Sequence, residues 1–457
     1  LLLVLDRAEK NRLLSRAVNY AAIVEDSFGP LFAFKGIFGL YDGVFAILPY
    51  AEKVEEYSAV NRRDIWEYPL ALDADAFDRM LRHVWELQEL RSRYFFLKEN
   101  CAFNLLYPVE AARPELRLTR RFRAHAVPVG ILRELTQTGV TQEPVFRPSK
   151  STQMAHLASL LDGEGQRRAL ALGRGAAVPD AEDTAVVLSL AVEIAQFDYT
   201  ERRISPEVYR ERALPLMRER SRRGRVVVPP VPVPEPPHLA HGPRRVGVYA
   251  GRDRDGAGIV GGRFRVAYHD WLDLPRAMPP GAEITFLEVD VRADQDAERW
   301  HLHQLTVVEI RSLTPHTLWA RPLSWAGLLQ VEEDPLRPEH HRTRGSFATG
   351  RTWAPAERGL LILMLENTLL ADSRLDAGVA WEPGVLAGAQ YAGERLRAGV
   401  RLQSRWGVLG SSAVRHQFQA ETRYAVTDSL SLGLRLQHRI EARQDVQEQL
   451  VTLMWTF

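Results

Sequence analysis

Hydrophobic and polar residues alternate with a period of two through most of the C-terminal half of the chain. Leu396 and Leu402 fall on one face of a strand, while Arg397 and Gln403 fall on the other. Further segments repeat this alternation, each about ten residues long and followed by a short turn. Such spacing is typical of antiparallel strands that follow one another in a meander. The pattern therefore predicts an all-β domain over 241–457.

The last strand of this domain ends at an aromatic residue, Phe457, as the strands of bacterial outer-membrane barrels do. Strands in such barrels take about ten residues plus a turn, so the domain has room for about twelve. The alternative is a soluble, lipocalin-like barrel or curved sheet whose apolar face turns inward. Periodicity alone does not separate the two, but Trp and Tyr residues near strand ends favour the membrane barrel. We predict an antiparallel, outer-membrane-type barrel of about 12 strands.

Helical periodicity dominates the beginning of the chain. Apolar residues recur at helical spacing between 75 and 96, which predicts one long helix that ends near Cys101. A second helix begins near Cys101 and is closed by Pro114. With extended runs before the first helix, this organisation predicts an α+β fold for 1–150.

Segment 151–225 also has helical spacing, and we expect it to form a helical cover for the first domain. Its last part, 201–225, contains nine Arg and four Glu. This composition suits a solvated face, or a surface for phosphate headgroups or nucleic acid. The prolines of 229–237 predict an extended spacer. The predicted domains are 1–150, 151–225, a linker at 226–240, and 241–457.

Composition narrows the possible functions. The 457 residues include 59 Lys and Arg and 58 Asp and Glu, a net charge of +1. No aromatic-interleaved basic platform accompanies the arginines, so we expect no nucleic-acid partner. No uninterrupted apolar run reaches the roughly 18 residues of a membrane-spanning helix. Walker, Gly-x-Gly-x-x-Gly and His-Glu-x-x-His motifs are absent, so we expect no cofactor.

Histidines are frequent between 238 and 341. His301 and His303 fall on one face of a strand, a possible arrangement for two metal ligands. No carboxylate or third ligand follows from the spacing, so we expect no metal site.

Cys101 is the only cysteine, which excludes an intramolecular disulfide. It follows Glu99 and Asn100 where the second helix begins, so Asn100 is placed to cap that helix. The N–H groups of a helix start stabilise a thiolate, the form that attacks carbonyls. Cys101 is therefore either a nucleophile or a small buried residue. Glu99 suits the orientation of a base or an amine substrate, or a simple dipole partner, and Asn100 suits a cap or an oxyanion donor.

Six motifs between residues 1 and 151 together resemble the periplasmic domain of Lnb-type lipoprotein N-acyltransferases. They are Val-Asn-Tyr-Ala at 18–21, Phe-Lys-Gly-Ile-Phe-Gly at 34–39, Leu-Pro-Tyr at 48–50, Glu-Tyr-Ser at 56–58, Arg-Asp-Ile-Trp-Glu-Tyr-Pro-Leu at 63–70 and Glu-Asn-Cys at 99–101. That family is related to papain-like and NlpC/P60 thiol enzymes. The resemblance implies a papain-like α+β domain in which Cys101 matches the nucleophile. It also implies an acyl chain that is taken from a phospholipid as a thioester and passed to the α-amino group of a lipoprotein.

The chain departs from this family in two places. The partner histidine of the family lies in a Gly-His pair just before a strand that resembles 1–5, so it would precede residue 1. We expect either a fragment whose general base lies upstream, or another histidine in that role, and His125 is a candidate. The family also carries membrane helices where this chain is β-rich. Runs at 267–273 and 321–325 resemble instead the uncharacterised β-rich domain that often follows this thiol domain in bacteria.

The candidate catalytic residues are therefore Cys101, Glu99, Asn100 and His125. The favoured interpretation is a bacterial periplasmic and outer-membrane cysteine acyltransferase, with phospholipid and lipoprotein as partners and a barrel in the membrane. One alternative is an NlpC/P60-like amidase or peptidase of the cell wall. Another is a non-catalytic barrel protein whose N-terminal domain binds a lipid or a partner.

Overall fold

The computed structural model describes two compact units, Leu1–His238 and Leu239–Phe457. The described residues are 1–5, 14–24, 35–36, 38–96, 98–122, 125–224, 228–274, 276, 278, 281–293, 299–334, 337–375, 377–441 and 444–457. Phe34 and Ile37 of the motifs above lie outside them. Among the helices formed by the described residues, none has both the length and the apolar character needed to cross a membrane.

The first unit contains a four-stranded antiparallel sheet and a small two-stranded sheet. The four-stranded sheet has the order β1-β2-β3-β5, with β1 Leu3–Leu5, β2 Arg16–Ala22, β3 Tyr41–Pro49 and β5 Arg91–Tyr94. The small sheet pairs β4 Ile65–Glu67 with β6 Val145–Arg147.

Nine α-helices complete the described part of this unit. They are α1 Tyr50–Val54, α2 Ala74–Leu87, α3 Cys101–Asn104, α4 Leu106–Ala112, α5 Pro128–Gln137, α6 Lys150–Ser159, α7 Gly163–Gly173, α8 Ala185–Thr200 and α9 Pro206–Arg222. A π-helix, Glu55–Val60, continues α1, and 3₁₀ turns lie at Pro114–Leu116, Leu118–Arg121 and Pro237–Leu239. The region up to residue 150 therefore has the predicted α+β character.

The core of this region lies between the sheet and the helices around Cys101. Val18 and Tyr20 of β2 are almost fully buried against Met80 of α2 and Leu106 of α4. Burial of such a side chain contributes about 1.5–3 kcal/mol each. Because β2 and α3 share this core, packing against the sheet fixes the position of the start of α3.

The long helix expected over 75–96 is a wrong prediction. The helix ends at Leu87, and after a short turn the chain forms β5, which pairs with Tyr41–Val44. Trp85, one of the apolar residues whose helical spacing predicted this helix, is 75% exposed. Strand pairing with β3 decides the conformation here, because the ladder satisfies backbone groups that a helical continuation would have to satisfy locally. The segment that leads towards Cys101 is therefore the strand β5 and not the end of a helix.

Helices α6, α7 and α9 pack around α8, whose Leu188, Leu190 and Ile194 are fully buried. Gly173 at the end of α7 permits this close packing, since a Cβ atom there would lie 2.6 Å from the carbonyl oxygen of Ala191. Asp64 anchors α6 to the preceding region by accepting hydrogen bonds from the Ser149 N–H and the Thr152 hydroxyl, both at 2.7 Å.

The second unit is a closed barrel of twelve strands, and β18 pairs with β7 to close it. The strands are β7 Arg245–Asp253, β8 Gly258–His269, β9 Ala282–Ala293, β10 Trp300–Ser312, β11 Ser324–Asp334, β12 Arg337–Ala356, β13 Gly359–Ala371, β14 Val379–Ala392, β15 Leu396–Trp406, β16 Val414–Ala425, β17 Leu430–Glu441 and β18 Gln444–Thr456. Every neighbouring pair is antiparallel. The prediction of an antiparallel barrel of about twelve strands is confirmed.

The outer face of the barrel is apolar and the lumen is charged. On β17, Leu432, Leu434 and Leu436 are exposed, while Gln437 and Glu441 are buried. A soluble barrel would turn the apolar face inward, so the lipocalin-like alternative is wrong. An apolar exterior around a polar interior is the arrangement of outer-membrane barrels. With an even number of strands, the barrel begins and ends at the same end, which we call the proximal end.

The segment 270–273, which follows β8, folds into the proximal end of the lumen. Asp270 and Asp273 are paired with Arg245 and Arg423, which point inward from β7 and β16. The ring of Trp271 lies under the guanidinium groups of two further inward-facing arginines, at 5.4 Å from Arg311 and 5.2 Å from Arg401. This segment, the lumenal plug, fills the proximal end.

Candidate active site around Cys101

Cys101 is a partly exposed free thiol at the first position of α3. Asn100 caps this helix, because its Oδ1 accepts hydrogen bonds from the N–H groups of Ala102 at 3.0 Å and Phe103 at 3.1 Å. The sequence predicted this cap. It fixes the backbone at Cys101 and satisfies two of the free donors of the helix start.

The amide nitrogen of Asn100 connects two further segments. It donates to the carbonyl oxygen of Phe96 at 3.0 Å and to that of Ala126 at 2.6 Å. Both hydrogens of this nitrogen are therefore engaged. An oxyanion role for Asn100 requires one of these bonds to open, whereas a positioning role requires no change.

Tyr94 contacts Cys101 directly. Its hydroxyl oxygen accepts a hydrogen bond from the Cys101 N–H at 3.2 Å, and the hydroxyl also interacts with the thiol. Burial, followed by the nearby thiol, raises the pKa of Tyr94, so the hydroxyl keeps its proton at neutral pH. Sequence reasoning did not identify this residue, because seven positions and a strand-to-helix change separate it from Cys101.

The ring of Tyr94 is held by a neighbouring aromatic residue on β2. Tyr20 stacks on it at a centroid distance of 5.7 Å and an interplanar angle of 13°. The hydroxyl of Tyr20 lies 2.6 Å from the Ser92 hydroxyl, with which it shares a hydrogen bond. Tyr94 is therefore fixed both at its ring and at its hydroxyl.

Glu99 is partly buried beside this group. Its backbone carbonyl accepts a hydrogen bond from the Phe95 N–H at 3.3 Å, which closes the turn before Cys101. Burial and the charge of Glu99 together raise the pKa of Tyr107. The Glu99 carboxylate therefore lies close enough to the Tyr107 hydroxyl to oppose its ionisation.

His125 is partly buried, and its chain segment reaches the site. The next residue, Ala126, provides the carbonyl that binds the Asn100 amide. The hydrogen bond thus connects the residue after His125 to the residue before Cys101. Of the predicted site residues, Cys101, Glu99 and Asn100 are together, and the backbone next to His125 is attached to them.

The start of β1 also points towards this site. Leu5 pairs with Arg16 and Leu3 with Val18, so the strand runs towards Tyr20 as it approaches its beginning. Tyr20 stacks on Tyr94, the partner of Cys101.

Apolar side chains are exposed around the turn that precedes Cys101. The exposed fractions are 58% for Phe38, 57% for Leu40 and 41% for Tyr107. The ring of Tyr107 packs edge to face on Phe103 of α3, with centroids 5.8 Å apart. The backbone before Phe38 meets the same turn, since the Phe96 N–H donates to the Gly36 carbonyl at 2.9 Å. We call Phe38, Leu40 and Tyr107 the apolar rim.

The barrel contains one group of described residues with the spacing of metal ligands: His241, His269 and Asp273. His241 and His269 share a hydrogen bond of 2.7 Å between their ring nitrogens. Asp273 is already paired with Arg265 at 2.6 Å and with Arg245 at 2.9 Å, and these positive charges oppose a cation. The group therefore fits a hydrogen-bond network that fastens the lumenal plug better than it fits a metal site.

The two histidines singled out in the sequence meet a carboxylate that their spacing did not reveal. Glu333 of β11 lies 2.6 Å from His303 and 3.4 Å from His301. Strand pairing brings this residue to both rings, although thirty positions separate it from His303.

The closed barrel with its apolar exterior is of the outer-membrane type, and the match of the preceding domain to a periplasmic family makes the chain a cell-envelope protein. Three family models match consecutive parts of the chain. The Lnb N-terminal periplasmic domain matches residues 1–138, a domain of unknown function (DUF7842) matches 144–232, and another (DUF7840) matches 234–456. The first match includes all four candidate site residues. No curated protein matches the chain.

Several solved barrel structures align with about half of the chain. The NanC porin is 7% identical with a TM-score of 0.31, and the alignment covers 46% of this chain and 100% of that chain. The COG4313 outer membrane channel from Pseudomonas putida F1 is 11% identical with a TM-score of 0.32, and the alignment covers 50% of this chain and 100% of that chain. The KdgM porin is 7% identical with a TM-score of 0.28, and the alignment covers 47% of this chain and 99% of that chain.

Proposed function

We propose that the N-terminal domain is a cysteine acyltransferase that takes an acyl chain from a phospholipid and transfers it to the amine of a lipoprotein. The observation that carries this proposal is the arrangement at Cys101. A partly exposed thiol stands at the start of a capped helix, with the hydroxyl of Tyr94 on its N–H. The match of residues 1–138 to the Lnb N-terminal periplasmic domain supports this choice among thiol chemistries.

The reaction has two steps. In the first, the sulfur of Cys101 attacks the ester carbonyl carbon, the ester C–O bond breaks, and a base moves the thiol proton to the departing lysophospholipid alcohol. In the second, the amine nitrogen attacks the thioester carbon and the C–S bond breaks. The amine loses a proton to the base, which returns it to the sulfur, so the thiol is restored.

Tyr94 is suited to stabilise the oxyanion of both steps. Its high pKa keeps the hydroxyl protonated, and its contacts place that hydroxyl beside the attacking sulfur. A fixed donor at the position of the developing negative charge lowers the barrier by about 2.7–4 kcal/mol in comparable sites. Asn100 positions the nucleophile through the helix cap.

The general base is a histidine in this proposal. His125 is the candidate that this chain offers, because the residue after it, Ala126, accepts a hydrogen bond from the Asn100 amide. A base near a thiol shifts it to the reactive thiolate.

The apolar rim favours acyl transfer over cleavage of a polar cell-wall peptide. Phe38, Leu40 and Tyr107 offer exposed apolar surface near the nucleophile, where an acyl chain gains from leaving water. A hydrolase of polar substrates has no need of such a surface.

The test is intact-mass analysis of the full-length protein, with its native N-terminus, after incubation with phospholipid. The expected result is a mass increase of one acyl chain that hydroxylamine removes and that Cys101→Ser abolishes. Because Cys101 is the only cysteine, the site of the thioester is unambiguous. No adduct, together with a thiol that a small alkylating reagent fails to modify in the folded protein, would favour the non-catalytic alternative. Cleavage of a cell-wall peptide without a lipid adduct would favour the hydrolase.

A further inference from the structure

A pocket lies in the barrel lumen at the distal end, opposite the proximal end. Residues of β11, β12, β15, β16 and β17 line it. Five of the lining residues are arginines and only two are carboxylates. The arginines are Arg342, Arg344, Arg405, Arg415 and Arg439, and the carboxylates are Glu332 and Glu441.

Two of these arginines use the available carboxylates. Arg342 binds Glu332 at 3.0 Å and also pairs with Glu441. Arg415 binds Glu441 at 2.7 Å and pairs with Glu382. Arg342 and Arg415 thus make the close contacts with Glu332, Glu441 and Glu382. Glu366, near Arg405, accepts a hydrogen bond from the Gln403 amide.

The remaining three, Arg344, Arg405 and Arg439, form the distal arginine cluster. The nearest carboxylate oxygens to Arg344 and Arg405 lie at 3.7 Å and 3.6 Å, beyond hydrogen-bond distance. Arg439 pairs with no carboxylate in the described part of the chain. Its guanidinium donates to the side-chain carbonyl oxygen of Gln437 when the amide oxygen and nitrogen of Gln437 are exchanged.

Arg405 is a nearly fully buried member of the cluster, with one N–H donor that no described residue satisfies. Its side chain is 94% buried, and among the described residues its Nη1 has no hydrogen-bond partner. Nε of Arg344 likewise lacks a partner there. A buried guanidinium with unmet donors is unfavourable, and the like charge of a neighbouring arginine adds to this cost. A bound anion offsets both effects, because it accepts hydrogen bonds from the unpaired N–H groups and its negative charge balances the neighbouring positive charges.

We infer that the distal arginine cluster is a binding site for an oxyanion, that is, a phosphate or a carboxylate group. Guanidinium groups bind such groups through two parallel N–H···O bonds. Three arginines from β12, β15 and β17 approach one space from different sides of the lumen, as multidentate recognition requires. Gln417 lines the same space and adds a neutral donor, whereas the amide nitrogen of Gln403 already donates to Glu366.

The test is calorimetric titration of the detergent-solubilised full chain with inorganic phosphate and, separately, with acetate, at constant ionic strength in chloride. Saturable binding of either anion supports the inference, and the better ligand identifies the class. Arg405→Gln is expected to weaken binding at least 10-fold. Arg439→Gln is a second variant with the same expected direction, in case Arg405→Gln does not give a folded barrel in a heat-modifiability assay.

Arg401→Gln is the matched control. It removes the same charge four positions earlier on β15, where Arg401 packs over Trp271 and borders the wider lumen that Arg344 and Arg439 also reach, but not the distal pocket. Binding within about 2-fold of the unchanged protein is expected, because a specific site responds to position and not only to net charge. The inference is overturned if neither anion saturates, if Arg405→Gln and Arg439→Gln bind as the unchanged protein does, or if Arg401→Gln loses binding equally.

Discussion

The backbone N–H of Cys101 donates a hydrogen bond to the hydroxyl oxygen of Tyr94 at 3.2 Å. This contact joins the end of β5 to the start of α3 and places a neutral, partly buried phenol beside the only thiol of the chain. A thiol that is held in this way has both a fixed direction of attack and a nearby donor.

Tyr94→Phe is expected to slow formation of the acyl-enzyme by about 10²-fold, because it removes the donor while it keeps the stacked ring. The rate of the hydroxylamine-labile mass increase measures this effect. Tyr20→Phe is the control, because it removes a hydroxyl that contacts Ser92 from the other ring of the pair. A Tyr94→Phe rate within 2-fold of the unchanged protein would exclude an oxyanion role for Tyr94.

Asn100→Ala is expected to destabilise the region around Cys101 by about 2–4 kcal/mol, because it removes a cap and leaves the Ala126 and Phe96 carbonyls without their donor. Alkylation of Cys101 at increasing urea concentration reports the local opening of this region. Ser149→Ala, which removes the cap of α6, should cost only about 1 kcal/mol. Equal effects of the two variants would contradict the connecting role of Asn100.

Leu365→Arg is expected to destabilise the barrel in a lipid bilayer by about 2–4 kcal/mol, since Leu365 is 67% exposed at the middle of β13 and meets the centre of the membrane. Leu369→Arg, close to the end of the same strand, should cost only about 0–1 kcal/mol. Urea unfolding in lipid vesicles measures both. Equal costs for the two variants would argue against a membrane around β13.

Trp271→Ala is expected to loosen the lumenal plug and raise the ion conductance of the barrel in a planar bilayer. The ring carries two stacked arginines, and its loss leaves space at the proximal end of the lumen. Loss of a buried Trp also costs about 3–5 kcal/mol of stability. Trp325→Ala, at the more exposed start of β11, should leave the conductance unchanged. A closed lumen in Trp271→Ala would show that the plug is held by its ion pairs alone.

Local patterns in the sequence predicted much of the barrel. Leu432, Leu434 and Leu436 alternate with polar neighbours because a strand places successive side chains on opposite faces, whatever surrounds it. The cap at Asn100 was also predictable, since it depends on residues within three positions of each other. The helix expected over 75–96 was wrong because the pairing of β5 with the distant β3 overrides local periodicity.

The order of residues was enough to predict the alternating strands, their approximate number, the single thiol and its cap. The outward face of the strands depends on the folded chain, because only closure of β18 on β7 defines an inside and an outside. The folded chain also decides the partners of Cys101 and the excess of Arg344, Arg405 and Arg439 in the distal pocket. Contacts within a few residues follow from backbone geometry, whereas Tyr94 at the thiol and arginines from separate strands meet only through long-range pairing.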